Sequence, residues 1–191
     1  MNTNAHTPLS RRHLILTAAT SGVITALTSG ADGPRPDKVA SKPQDVADID
    51  SIIAAVYDVI SGPKGQPRDW DRMRSLFVPE ARLIPCMPKG SDGKPAIRTL
   101  SVEEYISRIG PTLVAKGFVQ RQVSRRVDRF GHMAQVFSTY ETRLDGETAL
   151  FGRGINGIQL FWDETRWWVV TIMWDTETAT QRIPKDYEAK K

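Results

Sequence analysis

At 191 residues and a formal net charge of +4, the chain can hold one domain with a core of ordinary size and some extra length. Its 26 basic residues stand against 22 acidic ones, a near-balance that excludes the strongly basic footprint of a nucleic-acid-binding domain. One cysteine, Cys86, excludes an intrachain disulfide.

Residues 1–13 contain no acid and carry Arg11 and Arg12 side by side after Ser10. Leu14 to Ala31 are 18 residues without charge, rich in Ala, Leu, Ile, Val and Thr and ending in the small residues "TSGA". A charged start, an apolar middle and a small-residue end are the marks of a secretory signal peptide, here residues 1–31. The paired arginines resemble the twin-arginine export signal, which implies folding in the cytoplasm and passage through the twin-arginine machinery to a bacterial periplasm. A spanning helix needs about 20 mostly apolar residues, and six of these 18 are Ser or Thr, so a cleavable signal fits better than an anchor. Residues 1–31 hold two arginines and no acid, so without them 24 basic and 22 acidic residues remain, a net +2.

Residues 32–45, "DGPRPDKVASKPQD", carry three prolines and little that is apolar, and read as a flexible tether. Ile49, Ile52, Ile53, Val56, Val59 and Ile60 recur at helical spacing and predict an amphipathic helix over 46–61. Asp69 offers an N-cap for a short helix with Trp70, Met73, Leu76 and Phe77 on one side, ended by Pro79. "ARLIPCMP" and "AIRTL" then read as a two-stranded hairpin around "KGSDGKP". Ser101 and Glu104 form a capping box for a helix that Pro111 must kink or restart and Gly117 closes.

Four runs follow, at about 118–129, 132–144, 150–162 and 166–176, parted by turns as in an antiparallel meander. Helices first and strands after argue for an α+β domain over 46–178, with a polar C-terminal tail at 179–191. In the last strand, alternation places Trp168, Val170, Ile172 and Trp174 on one face, under the helices. Trp167, Val169, Thr171 and Met173 take the other face, which is apolar enough to expect a homodimer through Trp167, Val169 and Met173.

The segments "RDWDRMRSLFVPEARL" (Arg68–Leu83), "LSVEEYI" (Leu100–Ile106), "AQVFSTYETR" (Ala134–Arg143), "GRGINGIQLFW" (Gly152–Trp162) and "RWWVVTIMWD" (Arg166–Asp175) occur in a telling order. That order resembles the nuclear transport factor 2-like superfamily, which includes ketosteroid isomerase, scytalone dehydratase and SnoaL-type cyclases. The resemblance implies a cone-shaped, curved antiparallel sheet, made of the four-strand meander plus the N-terminal hairpin, packed against about three helices. It also implies a deep pocket between sheet and helices. The isomerase's general-base Asp, its Tyr–Asp oxyanion pair and the dehydratase's His–Asp arrangement find no matching positions here, so the site is argued from the residues.

The expected lining is Tyr57, Trp70, Tyr140, Asn156 and Trp174. A mostly apolar cavity with a few polar groups is the usual ligand site; the alternative is that Tyr140 and Asn156 only satisfy each other or the backbone. His132, the one histidine after residue 31, is the candidate general base and Tyr140 the candidate proton donor, although His132 follows Gly131 at a strand start, where a solvated turn residue is the better fit. One histidine and one cysteine offer no metal-ligand spacing, and no cofactor is expected. "GRGING" lies within a strand pattern and reads as bends in a curved sheet rather than a phosphate loop. Two functions fit: an exported domain that binds a small, largely apolar molecule, or a cofactor-independent acid–base enzyme of the isomerase, dehydratase or cyclase type.

Replacing Arg11 and Arg12 together by Lys is expected to abolish export. The precursor should then stay in the cytoplasmic fraction, and normal secretion of the double variant would overturn the targeting assignment.

Overall fold

The computed structural model describes residues 40–87 and 93–189. The expected signal with Arg11 and Arg12, and the tether up to residue 39, lie outside them. Pro43–Val46 form one helical turn, α1, and Ile49–Ile60 form α2. The single helix expected over 46–61 is divided because Asp48 is extended (φ −146°, ψ 174°) and its carboxylate accepts the Ser51 N–H at 2.7 Å. Asp48 thus caps α2 instead of continuing a helix. α1 docks through the buried Asp45, whose carboxylate accepts two hydrogen bonds from Arg72, at 2.6 and 3.0 Å. Most of α1 therefore lies inside the stretch expected as tether.

Asp69 caps α3 (Trp70–Leu76), accepting the Arg72 N–H at 2.9 Å. The helix stops at Leu76, before Pro79, which lies instead within strand β1 (Phe77–Met87) where the register slips between Phe77 and Arg82. Proline has no N–H for the ladder, so an irregular stretch is where a strand tolerates it. β2 (Ala96–Ile97) pairs with the end of β1, and α4 (Val102–Arg108) follows with both halves of its capping box made. Pro111 restarts the helix as α5 (Gly110–Lys116). Gly117 ends it at φ 64°, where a Cβ would lie 2.6 Å from the backbone nitrogen of Lys64.

β3 (Phe118–Phe130), β4 (Met133–Leu144), β5 (Gly152–Trp162) and β6 (Trp167–Thr176) form the meander. Together the six strands make one sheet in the order β2-β1-β6-β5-β4-β3. The sheet is mixed rather than wholly antiparallel, because β1 runs parallel to β6. The passage through α4 and α5 delivers β3 opposite in direction to β1, and three hairpin reversals then leave β6 parallel to it.

Strict alternation along β6 fails at one residue. Gln159 pairs with Thr171 but Leu160 pairs with Val169, so Val170 is a bulge that leaves two residues of β6 opposite one step of β5. Before the bulge the inward residues are Trp167 and Val169, and after it Ile172. Trp167 and Val169, expected on an outward face shared with a second subunit, are only 3% and 0% exposed within one chain. Trp168, expected in the core, faces outward instead. Its indole N–H donates to Asp163 at 2.6 Å and its ring carries the Arg166 guanidinium at 3.6 Å.

Beneath the inner face the core is continuous. Ile52, Ile53 and Val59 of α2, Met73 and Leu76 of α3, and Leu113 of α5 pack against Val136, Ile158, Leu160 and Val169. Arg68 ties the helix ends together without any carboxylate. Its buried guanidinium donates to the carbonyls of Gly62 (2.6 Å), Gln66 (2.6 Å), Ile60 (3.2 Å) and Leu113 (3.2 Å), and burial lowers its pKa. Carbonyls at helix C-termini have no intrahelical donor, and a cation is the strongest partner available to them.

The segment expected as a polar tail packs on the outer face of the sheet. Thr139 donates to the Tyr187 carbonyl at 2.6 Å, the Tyr187 and Phe137 rings lie 5.5 Å apart, and Ile183 is buried. Its polar composition hid two apolar anchors, Ile183 and Tyr187.

The bulge makes a sharp prediction. Trp167→Ala should cost about 3–5 kcal/mol, as for a large core side chain. Trp168→Ala should cost about 1–2 kcal/mol, the sum of one hydrogen bond and one cation–π contact. Urea unfolding of both variants checks the order; equal losses, or the reverse, would remove Trp167 from the core.

Candidate functional site

Behind α2, α3 and α5, against the inner ends of β5 and β6, lies a cavity of about 250 Å³. Val56, Ile60, Met73, Leu113, Phe118, Ile172 and Trp174 give it apolar walls. Each follows from a pattern already described: the inward stripe of α2, the first inward residue of β3, and the two inward residues of β6 beyond the bulge. Three polar side chains reach the lining, Tyr105, Gln120 and Asn156, and none carries a charge at neutral pH.

Asn156 enters from the middle of β5 and is held from behind. Its Nδ2 donates to the Tyr57 hydroxyl at 3.0 Å, which lies 2.7 Å from Ser138 Oγ; that oxygen also accepts from Gln122 Nε2 at 2.6 Å. Tyr57 is therefore not part of the lining but the fixed partner that orients Asn156. Burial, against the pull of its hydrogen bonds to Ser138 and Asn156, pushes the Tyr57 phenol up to about 12. Gln120 is pinned by a bond from its Nε2 to Thr142 Oγ1 at 2.9 Å. Both carboxamide oxygens have no hydrogen-bond donor among the described residues. The Tyr105 ring meets Trp174 edge-on, with centroids 6.4 Å apart at 84°, and burial alone raises its pKa. No other described residue hydrogen-bonds its hydroxyl.

Of the expected site residues, the structure brings Asn156 and Trp174 together at the cavity, with Tyr57 directly behind. Trp70 packs under Gly110, where a Cβ would lie 2.8 Å from its ring, and does not reach the lining. Tyr140 also stays outside. Its hydroxyl meets Thr176 Oγ1 at 3.2 Å and crowds Gly154, where a Cβ would stand 2.4 Å from that oxygen. His132 is exposed in the β3–β4 turn, its Nδ1 3.1 Å from the Trp162 carbonyl. Eight residues of one strand separate His132 from Tyr140, roughly 26 Å at 3.3 Å per residue, so the two do not act on one small molecule.

Nor does a carboxylate take their place. Asp69 caps α3, Asp71 accepts from Arg74 at 2.7 Å, and Asp175 accepts from Gln181 at 2.8 Å on the outer side. Cys86 is half-buried on β1, its thiol pushed up by burial and then by Asp175. Among the described residues no group of three or more His, Cys, Asp or Glu could hold a metal ion. Sequence reasoning missed Tyr105 and Gln120. Tyr105 stands four residues after the helix-capping Ser101, on the buried stripe of α4, and Gln120 alternates inward with Phe118 at the start of β3. Each position was legible as inward, but nothing in sequence said that the space beside it stays open.

The Tyr57 network predicts an alkaline weakness. A phenol that titrates near 10 when unfolded and at about 12 when folded contributes full stability below the lower value and loses it as pH rises through the higher. Two pKa steps correspond to about 2–3 kcal/mol by pH 12. Tyr57→Phe should flatten that part of the loss in urea titrations across alkaline pH, while costing about 1–3 kcal/mol at neutral pH by orphaning the Asn156 amide. An unchanged alkaline slope would contradict the buried placement of the phenol.

No family model matches the chain, and no curated protein matches it. Solved structures do. A protein of unknown function with a cystatin-like fold from Nostoc punctiforme is 12% identical, covering 70% of this chain and 91% of its own, with a TM-score of 0.53. A nuclear transport factor 2-like protein of unknown function from Pseudomonas putida is 11% identical, covering 76% and 95%, with a TM-score of 0.53. A protein from Novosphingobium aromaticivorans, provisionally described as the β subunit of an aromatic-ring-hydroxylating dioxygenase, is 17% identical, covering 72% and 91%, with a TM-score of 0.52. At such identities the likeness speaks for the fold alone, and the fold is the nuclear transport factor 2-like α+β arrangement of a curled sheet packed against helices.

Proposed function

We propose that this domain binds a small, neutral, largely apolar molecule in the cavity beneath α2 and α5. The observation that carries the reading is the lining: apolar walls, three uncharged polar groups and no carboxylate, histidine, lysine or arginine. A charged ligand would leave water there without a counter-charge, at a cost of several kcal/mol. Size narrows the class further. An engineered cavity of about 150 Å³ takes benzene, and sites for drug-sized ligands start near 300 Å³. A cavity of about 250 Å³ therefore suits one or two fused rings or a short branched chain. The unpaired Tyr105 hydroxyl can donate to a carbonyl or ether oxygen, and the carboxamide oxygens of Asn156 and Gln120 can accept from a hydroxyl.

Acid–base catalysis needs a group within hydrogen-bond reach of the proton it moves. The lining supplies only Tyr105 as a titratable group, and its raised pKa makes it a donor of hydrogen bonds rather than a base. Binding is the better reading. The pair Arg11–Arg12 ahead of an uncharged run supports the proposal that the domain works after export to the periplasm.

The neutral two-ring probe 2-naphthol should bind the protein at neutral pH with saturable quenching of tryptophan fluorescence. Asn156→Leu should weaken binding about tenfold, the loss of one hydrogen bond, and Leu113→Trp should abolish it by filling the space. Tyr140→Phe should leave it unchanged. Binding unaffected by Leu113→Trp, or no uptake of any neutral one- or two-ring probe, would place the site elsewhere.

A further inference from the structure

The outer face of the sheet ends in a single cross-strand row. Phe130 pairs with Met133, Met133 with Phe161, and Phe161 with Trp168, so four large apolar side chains stand abreast on β3, β4, β5 and β6. Phe130 is 79% exposed, Met133 64% and Phe161 42%. Immediately behind them the row Asp128–Gln135–Gln159–Thr171 is polar. Further back the C-terminal segment covers Phe137 and Thr139. Phe130 and Met133 of the terminal row stay largely exposed beyond the part that this segment covers.

We propose that this row is a lipid-contacting edge that dips into the interfacial layer of a bilayer. Area argues against a second copy of the chain as its occupant. At about 150–250 Å² per large side chain when fully exposed, the row offers on the order of 400 Å², half the roughly 800 Å² per partner of a stable protein–protein contact. A bilayer sets no such threshold, since a few apolar side chains suffice for shallow, reversible insertion.

The place where the chain enters the domain points the same way. Arg166 donates to Ser41 Oγ at 2.6 Å while its guanidinium stacks on Trp168 at 3.6 Å, so residues 1–39 join the domain beside this row. Residues 32–39 can span at most roughly 30 Å. Whenever the uncharged run from Leu14 to Ala31 is in a bilayer, chain length alone keeps residue 40, the point of entry to the domain, within about that distance of the lipid. Among the described residues no helix is long and apolar enough to cross a membrane.

Charge fixes the character of that contact. Arg126 and Arg166 stand near the row in sequence, as do Asp128, Asp163 and Glu164, with Arg126 and Asp128 paired at 3.4 Å, while Arg129 lies over the buried Trp167 ring on the inner face. A rim without an excess of cations gives no attraction to anionic lipid in particular. Contact is therefore apolar and indifferent to the headgroup charge.

The test uses the full chain with Cys86→Ser and Met133→Cys, labelled at position 133 with an environment-sensitive fluorophore. Vesicles of phosphatidylcholine alone, and of phosphatidylethanolamine with phosphatidylglycerol, should both shift the label's emission to the blue, with quenching by spin-labelled lipid. The same label at Ile97→Cys, exposed on the distant β2, should stay in water. Phe130→Ser with Phe161→Ser should lower the vesicle-bound fraction about tenfold, the range expected when marginal insertion is lost. A chain that stays off vesicles, or one that binds them while position 133 remains in water, overturns the proposal. So does binding that requires anionic lipid. Light scattering in which those serines convert a dimer into a monomer would make the row a contact between copies instead.

Discussion

One extra residue in β6 sets the rest of the arrangement. Val170 has no partner on β5, and the residues on either side of it therefore exchange faces. Before it, Trp167 and Val169 go inward and fill the space beneath α3, with Trp162 beside Trp167 at 5.5 Å between centroids. After it, Ile172 and Trp174 go inward and form a wall of the cavity. Without the bulge the strand could bury one of these pairs but not both. It also sends Trp168 outward to join the row of Phe130, Met133 and Phe161. Core, cavity and outer edge are thus three consequences of one local slip, which also adds twist to a sheet that must curl around its helices.

The slip explains why simple alternation misplaces residues of the last strand and not those of its neighbours. Alternation in β4 assigns Ala134, Val136, Ser138 and Tyr140 to one face, and in β5 Asn156, Ile158 and Leu160, and the structure buries all of them together. β6 consists almost entirely of large apolar residues, so its sequence gives no contrast between faces and a bulge leaves no trace. The same physics hid the parallel pairing of β1 with β6, because local pattern reports the period of a strand and not its neighbour. Helix caps were legible for the opposite reason. Ser101 with Glu104, and Asp69, each satisfy backbone donors within three residues of themselves, so the signal and the structure it makes coincide.

The site was legible as chemistry more than as place. Asn156 was expected to face either a ligand or another polar group; its amide nitrogen donates to Tyr57, and the residue lines the cavity. Tyr140, one strand over and equally inward, is turned away because Gly154 leaves room for its ring and Thr176 receives its hydroxyl. Glycine at 154 was read only as a bend; its lack of a Cβ is what lets a tyrosine cross the sheet there. Which inward polar group meets open space depends on how large side chains divide the interior, and single-strand patterns carry no such information.

The polar groups of the interior form two classes with different work. Tyr57, Ser138 and Gln122 close on one another, and such closed networks fix one packing of the sheet against α2. Tyr105, Asn156 and Gln120 line the cavity, and neither the Tyr105 hydroxyl nor either carboxamide oxygen is hydrogen-bonded to a described residue. Buried polar groups without partners cost about 1–3 kcal/mol each, so a fold held together by well-satisfied neighbours tolerates a few only where something else meets them. Water can do so. A ligand that matches one donor and one acceptor replaces that water and adds apolar contact with Leu113, Ile172 and Trp174, whereas an all-hydrocarbon ligand would strand the same groups. On the proposed reading, selectivity in this pocket would come from the requirement that a mostly apolar molecule carry at least one polar atom in the right place.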